Sequence, residues 1–86
     1  DRREFARVPV DLRASVEVGP GLLEQVRVLN IGGGGLEVAP RTSLERGELT
    51  IVAVTDADSG LEYLLPAQVM WAASEAQGMC FVGVPA

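Results

Sequence analysis

Arginines near the amino terminus are the first residues whose type and spacing indicate chemistry. Arg2, Arg3 and Arg7 lie within the first seven residues, and the chain contains no lysine, so every basic side chain is a guanidinium. A guanidinium is planar and donates paired hydrogen bonds to a phosphate or to the O6 and N7 acceptors of guanine. It also stacks on a purine face. Taken alone, the cluster leaves two interpretations open: a solvated and poorly ordered terminus, and a segment that binds an anionic group.

A run of four glycines in the middle of the chain is the second unusual feature. These glycines, 32–35, follow Leu29, Asn30 and Ile31. Glycine in a strand connection either adopts positive φ or allows another group to approach the backbone closely. Two interpretations stay open: a structural loop, and a bare surface on which a ligand lies. Asn30 adds an amide donor and a carbonyl acceptor beside that surface.

The remaining composition excludes most catalytic and metal chemistry. One cysteine and no histidine exclude disulfide frameworks, zinc clusters and histidine-dependent nucleophilic catalysis. Asp56 and Asp58 resemble part of a calcium loop, but they lack its spacing and its closing glutamate, so they indicate a solvated turn. No pair of carboxylates suited to acid–base work is evident. We predict no enzyme activity, no metal and no cofactor, and we expect Cys80 to be an inert buried thiol.

The charge balance excludes large polyanions as partners. The formal net charge is −5, so duplex nucleic acid and anionic membrane surfaces would be repelled. No apolar run approaches the roughly 20 residues that a membrane-spanning helix needs, and no leader opens the chain. We therefore expect a cytoplasmic domain without membrane insertion.

Apolar residues alternate with polar ones, which is typical of β-strands with one buried face. The pattern predicts six strands separated by turn signals, and hence a small closed barrel. Pro66 should mark a bulge or a strand break, and residues 41–47 leave room for one helical turn. Trp71, Phe81 and Tyr63 are expected in the core or at its edge. The 86 residues form one domain, and the start at Asp1 suggests a piece excised from a longer protein.

The two unusual segments together resemble the PilZ domain family, a bacterial receptor module for cyclic di-GMP. That family has Arg-x-x-x-Arg just before its first strand and Asp/Asn-x-Ser-x-x-Gly at the end of its second. "QVMW", a later glycine and "CFVGV" are similar to its last two strands, so the resemblance covers nearly the whole chain. The residues at the ligand-contacting positions are Arg2, Arg3, Arg7, Asn30, Gly32 and Gly35.

The resemblance implies an all-β, six-stranded antiparallel barrel of the split-barrel type over residues 9–86, preceded by a flexible arginine segment, 1–8. It implies a non-enzymatic module that binds cyclic di-GMP as a ligand and then changes conformation or its contacts with a neighbouring domain or protein. Gly32 stands where the family has serine, and Asn30 lacks the charge of aspartate. Loss of one hydrogen bond, about 0.5–1.5 kcal/mol, predicts binding weakened several-fold to tenfold. The alternative is a degenerate PilZ domain that acts through protein contacts without a nucleotide.

Overall fold

Six antiparallel strands form a closed barrel. The structure is a computed structural model that describes residues 8–83, the first four of them through their backbone alone. The strands are β1 (Val8–Gly19), β2 (Leu22–Ile31), β3 (Gly35–Ala39), β4 (Leu49–Thr55), β5 (Glu62–Ala72) and β6 (Gln77–Phe81). Their order around the barrel is β1-β2-β3-β6-β5-β4, and β4 closes it by pairing with β1. The predicted all-β fold is confirmed.

Alternation of side chains gives the barrel its core. In β4, Thr50, Val52 and Val54 are buried, whereas Leu49 and Ile51 face outward and are exposed. The other strands contribute apolar residues to the same interior, and Leu44 enters it from the β3–β4 connection. Removing this apolar surface from water is the main favourable contribution to folding. Because the sheet is closed, every strand is paired on both sides and no edge strand is left unprotected.

The barrel has two distinct ends. At one end β1 begins, β2 turns into β3 through residues 32–34, and β4 turns into β5 through residues 56–61. We call this the glycine end. The opposite end, the far end, carries the β1–β2 turn, the long connection 40–48 and the β5–β6 turn 73–76. That connection contains a turn closed by a hydrogen bond from Glu48 N to Glu45 O (3.1 Å) and no helix, so the expected helical turn is wrong.

Pro66 lies inside a continuous strand and neither ends it nor bulges it. It pairs in register with Ile51 of β4. Its carbonyl accepts a hydrogen bond from Val82 N (3.0 Å) on the other side of the strand. The N and O atoms of one residue point to the same side of an antiparallel strand, so the Pro66 nitrogen, which has no hydrogen, also faces Val82, just beyond the end of β6. No ladder bond to β4 is lost, and the register shift falls later, between Val69 and Trp71.

Two side chains lie further out than the sequence predicts. Trp71 is 43% exposed, because the register shift before it turns its indole to the outside of the barrel. Cys80 is half-buried on the outward side, paired with Gly35 and Gln68. Phe81 packs against the core as expected. Tyr63 is exposed, yet it lies at the core's edge, since it pairs with buried Val54 at the barrel mouth.

Candidate functional site

The strand register brings the start of β1 beside the residues that end β2. Val8 pairs with Ile31, and Pro9 pairs with Asn30. The chain that carries the predicted arginines therefore joins the barrel directly next to Asn30. Arg2, Arg3 and Arg7 themselves lie outside the described residues, so their positions at the site stay predictions. Asn30, Gly32 and Gly35 all lie at the glycine end.

Hydrogen bonds fix the backbone of the glycine segment. Gly32 N donates to Gly35 O at 2.9 Å, and Phe81 N donates to Gly34 O at 2.9 Å, which ties the segment to β6. Among the residues described, glycines with positive φ occur at 21, 47, 60 and 83, all outside this segment. The glycines at 33–35 are therefore not required by a left-handed backbone conformation.

Space around the glycines separates the two interpretations that the sequence leaves open. Gly33 and Gly34 are exposed, and a Cβ on either would meet nothing within 4 Å. Gly35 is buried, and a Cβ there would overlap the carbonyl oxygen of Met79 on β6. Gly35 thus serves close packing of β3 on β6, while Gly33 and Gly34 leave main chain bare to solvent. Gly35 therefore has a structural role, whereas the open space at Gly33 and Gly34 leaves room for a ligand, and binding of a ligand there stays a prediction.

Asn30 forms a polar pair with a residue that the sequence analysis did not select. Its Nδ2 donates a 2.7 Å hydrogen bond to Oε1 of Glu37, its cross-strand partner on β3. Both side chains are half-buried and lie on the outside of the barrel, since the neighbouring Leu36 and Val38 fill the core. The pair presents a carboxylate and an amide next to the bare backbone of the glycine segment.

An aromatic ring lies one strand further along the same row. Gly78 of β6 pairs with Glu37 on one side and with Trp71 on the other. The Trp71 indole covers Gly78, because a Cβ at Gly78 would overlap the indole ring. Adjacent strands are about 4.8 Å apart. The indole is therefore a near neighbour of the Glu37 carboxylate on the outer surface.

This row has the chemistry of a purine-binding surface. A carboxylate accepts hydrogen bonds from N–H groups such as those on the Watson–Crick edge of guanine, and an aromatic face stacks on a base. The signal for Glu37 was present in the sequence, because it lies two residues after Gly35 and a strand repeats its facing every two residues. For Trp71 no such signal exists, since its orientation depends on the register shift and on Gly78.

Other kinds of site find no support in the part of the chain that the structure describes. Within residues 8–83, no three histidine, cysteine, aspartate or glutamate side chains are grouped so as to hold a metal ion. Asp56 instead accepts a hydrogen bond from Asp58 N at 2.9 Å, as expected for a turn. Over the same residues, no helix is long and apolar enough to cross a membrane.

Comparisons with known proteins agree with the fold and with the family resemblance. The family model for the PilZ domain matches residues 1–86. The PilZ domain of YcgR from Escherichia coli, solved with cyclic di-GMP, has a TM-score of 0.83 at 13% identity, with 99% of this chain and 81% of that chain covered. The inhibitor of motility MotI/DgrA from Bacillus subtilis has a TM-score of 0.76 at 16% identity, with 100% of this chain and 44% of that chain covered. A search of curated proteins gave no match.

Proposed function

Because this chain belongs to the PilZ domain family, we propose that it is a receptor module that binds cyclic di-GMP at the glycine end of its barrel. PilZ domains are receptor modules and not enzymes. The observation that supports the proposal most is the register of β1 on β2, which joins the arginine segment to the barrel beside Asn30. The arginine half of the family's motif therefore ends next to the point on β2 at which the second half begins.

The proposed contacts follow from the chemistry of each residue. Arg3 and Arg7, extended by Arg2, bind guanine O6 and N7 and the phosphates, as guanidinium groups do. Main chain at Gly33 and Gly34 offers an unobstructed surface for a base. Asn30 lies next to this surface, and the Trp71 ring lies beyond Glu37 in the row that runs from β2 across β3 and β6 to β5.

Glu37 supplies the negative charge that Asn30 lacks relative to the family's aspartate. Its Oε1 accepts from Asn30 Nδ2, which orients both side chains and leaves further lone pairs of the carboxylate for a guanine edge. Gly32 offers no hydroxyl, so we keep the expectation that binding is weaker by several-fold to tenfold than with serine at this position.

Ligand binding would change the contacts of the module with its partners, and no catalysed reaction is involved. We propose that the module is bacterial and cytoplasmic, and that ordering of the arginine segment around the ligand changes its contacts with a neighbouring domain or protein. The alternative is a degenerate PilZ module that acts through protein contacts without a nucleotide, and the likeness to MotI, a protein named for inhibiting motility, shows that the two chains share the fold.

Calorimetric titration with cyclic di-GMP tests the proposal. We expect the wild-type domain to bind, and the double variant Arg3→Ala/Arg7→Ala to lose at least tenfold in affinity. The matched control, Arg41→Ala/Arg46→Ala, removes the same charge from the far end and should bind like the wild type. Absence of heat with the wild type at high micromolar ligand would contradict the proposal. Equal losses in the two double variants would show that only overall charge matters.

A further inference from the structure

One side of the barrel carries an exposed apolar surface remote from the candidate site. Four neighbouring strands, β2, β1, β4 and β5, form it, whereas Glu37 and Gly78 lie on β3 and β6 across the barrel. Its apolar residues are Leu23, Ile51, Ala53 and Leu64, which border a shallow groove of about 260 Å³. Leu23 and Leu64 are 60% and 65% exposed. We call this surface the outer face.

The register assembles these side chains into one patch. Ser15 pairs with Ala53, and Ala53 pairs with Leu64, so the three form a row across the strands. Leu23 joins the patch through its pairing with Glu17. Contiguous apolar patches on a soluble domain mark interaction sites more often than single exposed side chains do.

On β1 the outer face carries charges of opposite sign toward its two ends, and Glu62 of β5 lies two strands away in the same row as Arg13. Arg13 and Arg27 pair with each other across β1 and β2 toward the glycine end, and Glu17 lies four residues further along β1. All three side chains are exposed, and none has an ion-pair partner within the described part of the chain. Four residues of strand span about 13 Å. Arg13 and Glu17 are therefore too far apart to neutralise each other.

We propose that the outer face binds a second copy of this chain as a two-fold symmetric dimer. The two-fold axis lies in the plane of the interface and is perpendicular to the strands. The strands of the second copy therefore run in the opposite direction to those of the first. Arg13 then meets Glu17 of the second copy, and the reverse contact forms at the other end, as in any two-fold interface. The apolar rows of Ser15, Ala53 and Leu64 pack between these ion pairs. Aligned sheets pack in this way about 10 Å apart.

The arrangement leaves ligand access unchanged. Asn30 lies seven residues from Leu23 along β2, and Glu37 and the glycine segment lie on β3 and on the connection before it, so the interface does not cover these parts of the candidate site. The dimer does not depend on the proposed function, and dimerisation and ligand binding can be measured separately on the same variants.

Sedimentation equilibrium over a series from low to high micromolar protein tests the dimer. We expect the wild type to dimerise, and Leu64→Glu, Arg13→Glu and Glu17→Arg each to weaken the dimer at least tenfold. The double variant Arg13→Glu/Glu17→Arg should return to within about threefold of the wild type, because reversed charges still meet across a two-fold axis. Arg46→Glu and Glu75→Arg are controls that make the same charge changes away from the outer face.

Specific outcomes would overturn the proposal. A wild type that stays monomeric throughout the series excludes the second copy as the occupant and leaves the face to a different protein. A double variant no better than the single variants excludes the two-fold pairing of Arg13 with Glu17. Circular dichroism confirms that the variants fold, and titration of Leu64→Glu with cyclic di-GMP reports on the ligand site independently.

Discussion

Glycines in one run do different work at the residue scale. Gly35 → Ala would place a methyl group on the Met79 carbonyl, and the backbone of β3 would have to move away from β6. We expect a loss of about 2–3 kcal/mol in the free energy of unfolding. Gly33→Ala meets open space, so its effect should stay within about 0.5 kcal/mol. Urea unfolding of both variants measures the difference.

The variant that is expected to keep its stability, Gly33→Ala, is the one expected to lose affinity for cyclic di-GMP directly. The alanine methyl at position 33 projects from the bare backbone, so it should weaken cyclic di-GMP binding while leaving the fold intact. If Gly33→Ala binds as the wild type does, the base does not lie on this backbone. If Gly35→Ala is as stable as Gly33→Ala, the packing explanation of Gly35 is wrong.

Glu37 is the second residue whose role can be isolated. Glu37→Gln keeps an oxygen that accepts from Asn30 Nδ2, and it removes only the charge. A hydrogen bond to a charged group contributes about 1.5–3 kcal/mol and one to a neutral group about 0.5–1.5 kcal/mol, so loss of the charge should weaken cyclic di-GMP binding about tenfold. Titration calorimetry measures the affinity, and Glu75→Gln at the far end is the control for net charge. Equal or tighter binding by Glu37→Gln would mean that the carboxylate mainly repels the phosphates.

At the scale of elements, a buried amide on β6 anchors the long connection 40–48 at the far end. Gln77 is fully buried, its Oε1 accepts from Thr42 N (3.0 Å) and Oγ1 (2.8 Å), and its Nε2 donates to Leu44 O (2.8 Å). Within the described residues, no buried side-chain polar atom lacks a partner. This network anchors Leu44, which closes the core from that end.

Gln77→Leu would leave the Thr42 donors and the Leu44 carbonyl unsatisfied. Each buried unpaired group costs about 1–3 kcal/mol, so we expect at least about 2 kcal/mol of destabilisation in urea unfolding. Gln68→Leu is the matched control, because Gln68 makes one exposed hydrogen bond to Gly47 O (3.1 Å). It should cost less than about 1 kcal/mol. Similar losses for both variants would show that Gln77 is no more important than a surface amide.

At the scale of the whole molecule, the sequence predicts which segments are strands better than it predicts which side chains meet across them. Period-two alternation identifies strands such as β1, because burial on one face acts on each residue independently. The Asn30–Glu37 pair and the outward turn of Trp71 depend on which strands pair and where the register shifts. Strand pairing and register shifts depend on how distant segments close the barrel, and a local sequence pattern carries no information about that. Asn30 and Gly35 can be selected from the motif because both lie in one short segment, whereas the two-residue repeat after Gly35 marks Glu37 as outward-facing without showing that it pairs with Asn30.

Ligand binding should stabilise the whole barrel in proportion to its affinity. A ligand that binds only the folded state at about 100 times its dissociation constant adds about 2.7 kcal/mol to the free energy of unfolding. We expect that gain in urea unfolding of the wild type followed by circular dichroism, at protein concentrations low enough to exclude dimers. At the same cyclic di-GMP concentration, Arg3→Ala/Arg7→Ala should gain at least about 1.4 kcal/mol less, the equivalent of a tenfold loss in affinity. Arg41→Ala/Arg46→Ala should gain as much as the wild type, because its missing charges lie at the far end. Equal gains in all three proteins would place the ligand away from the arginine segment, even if binding itself is established.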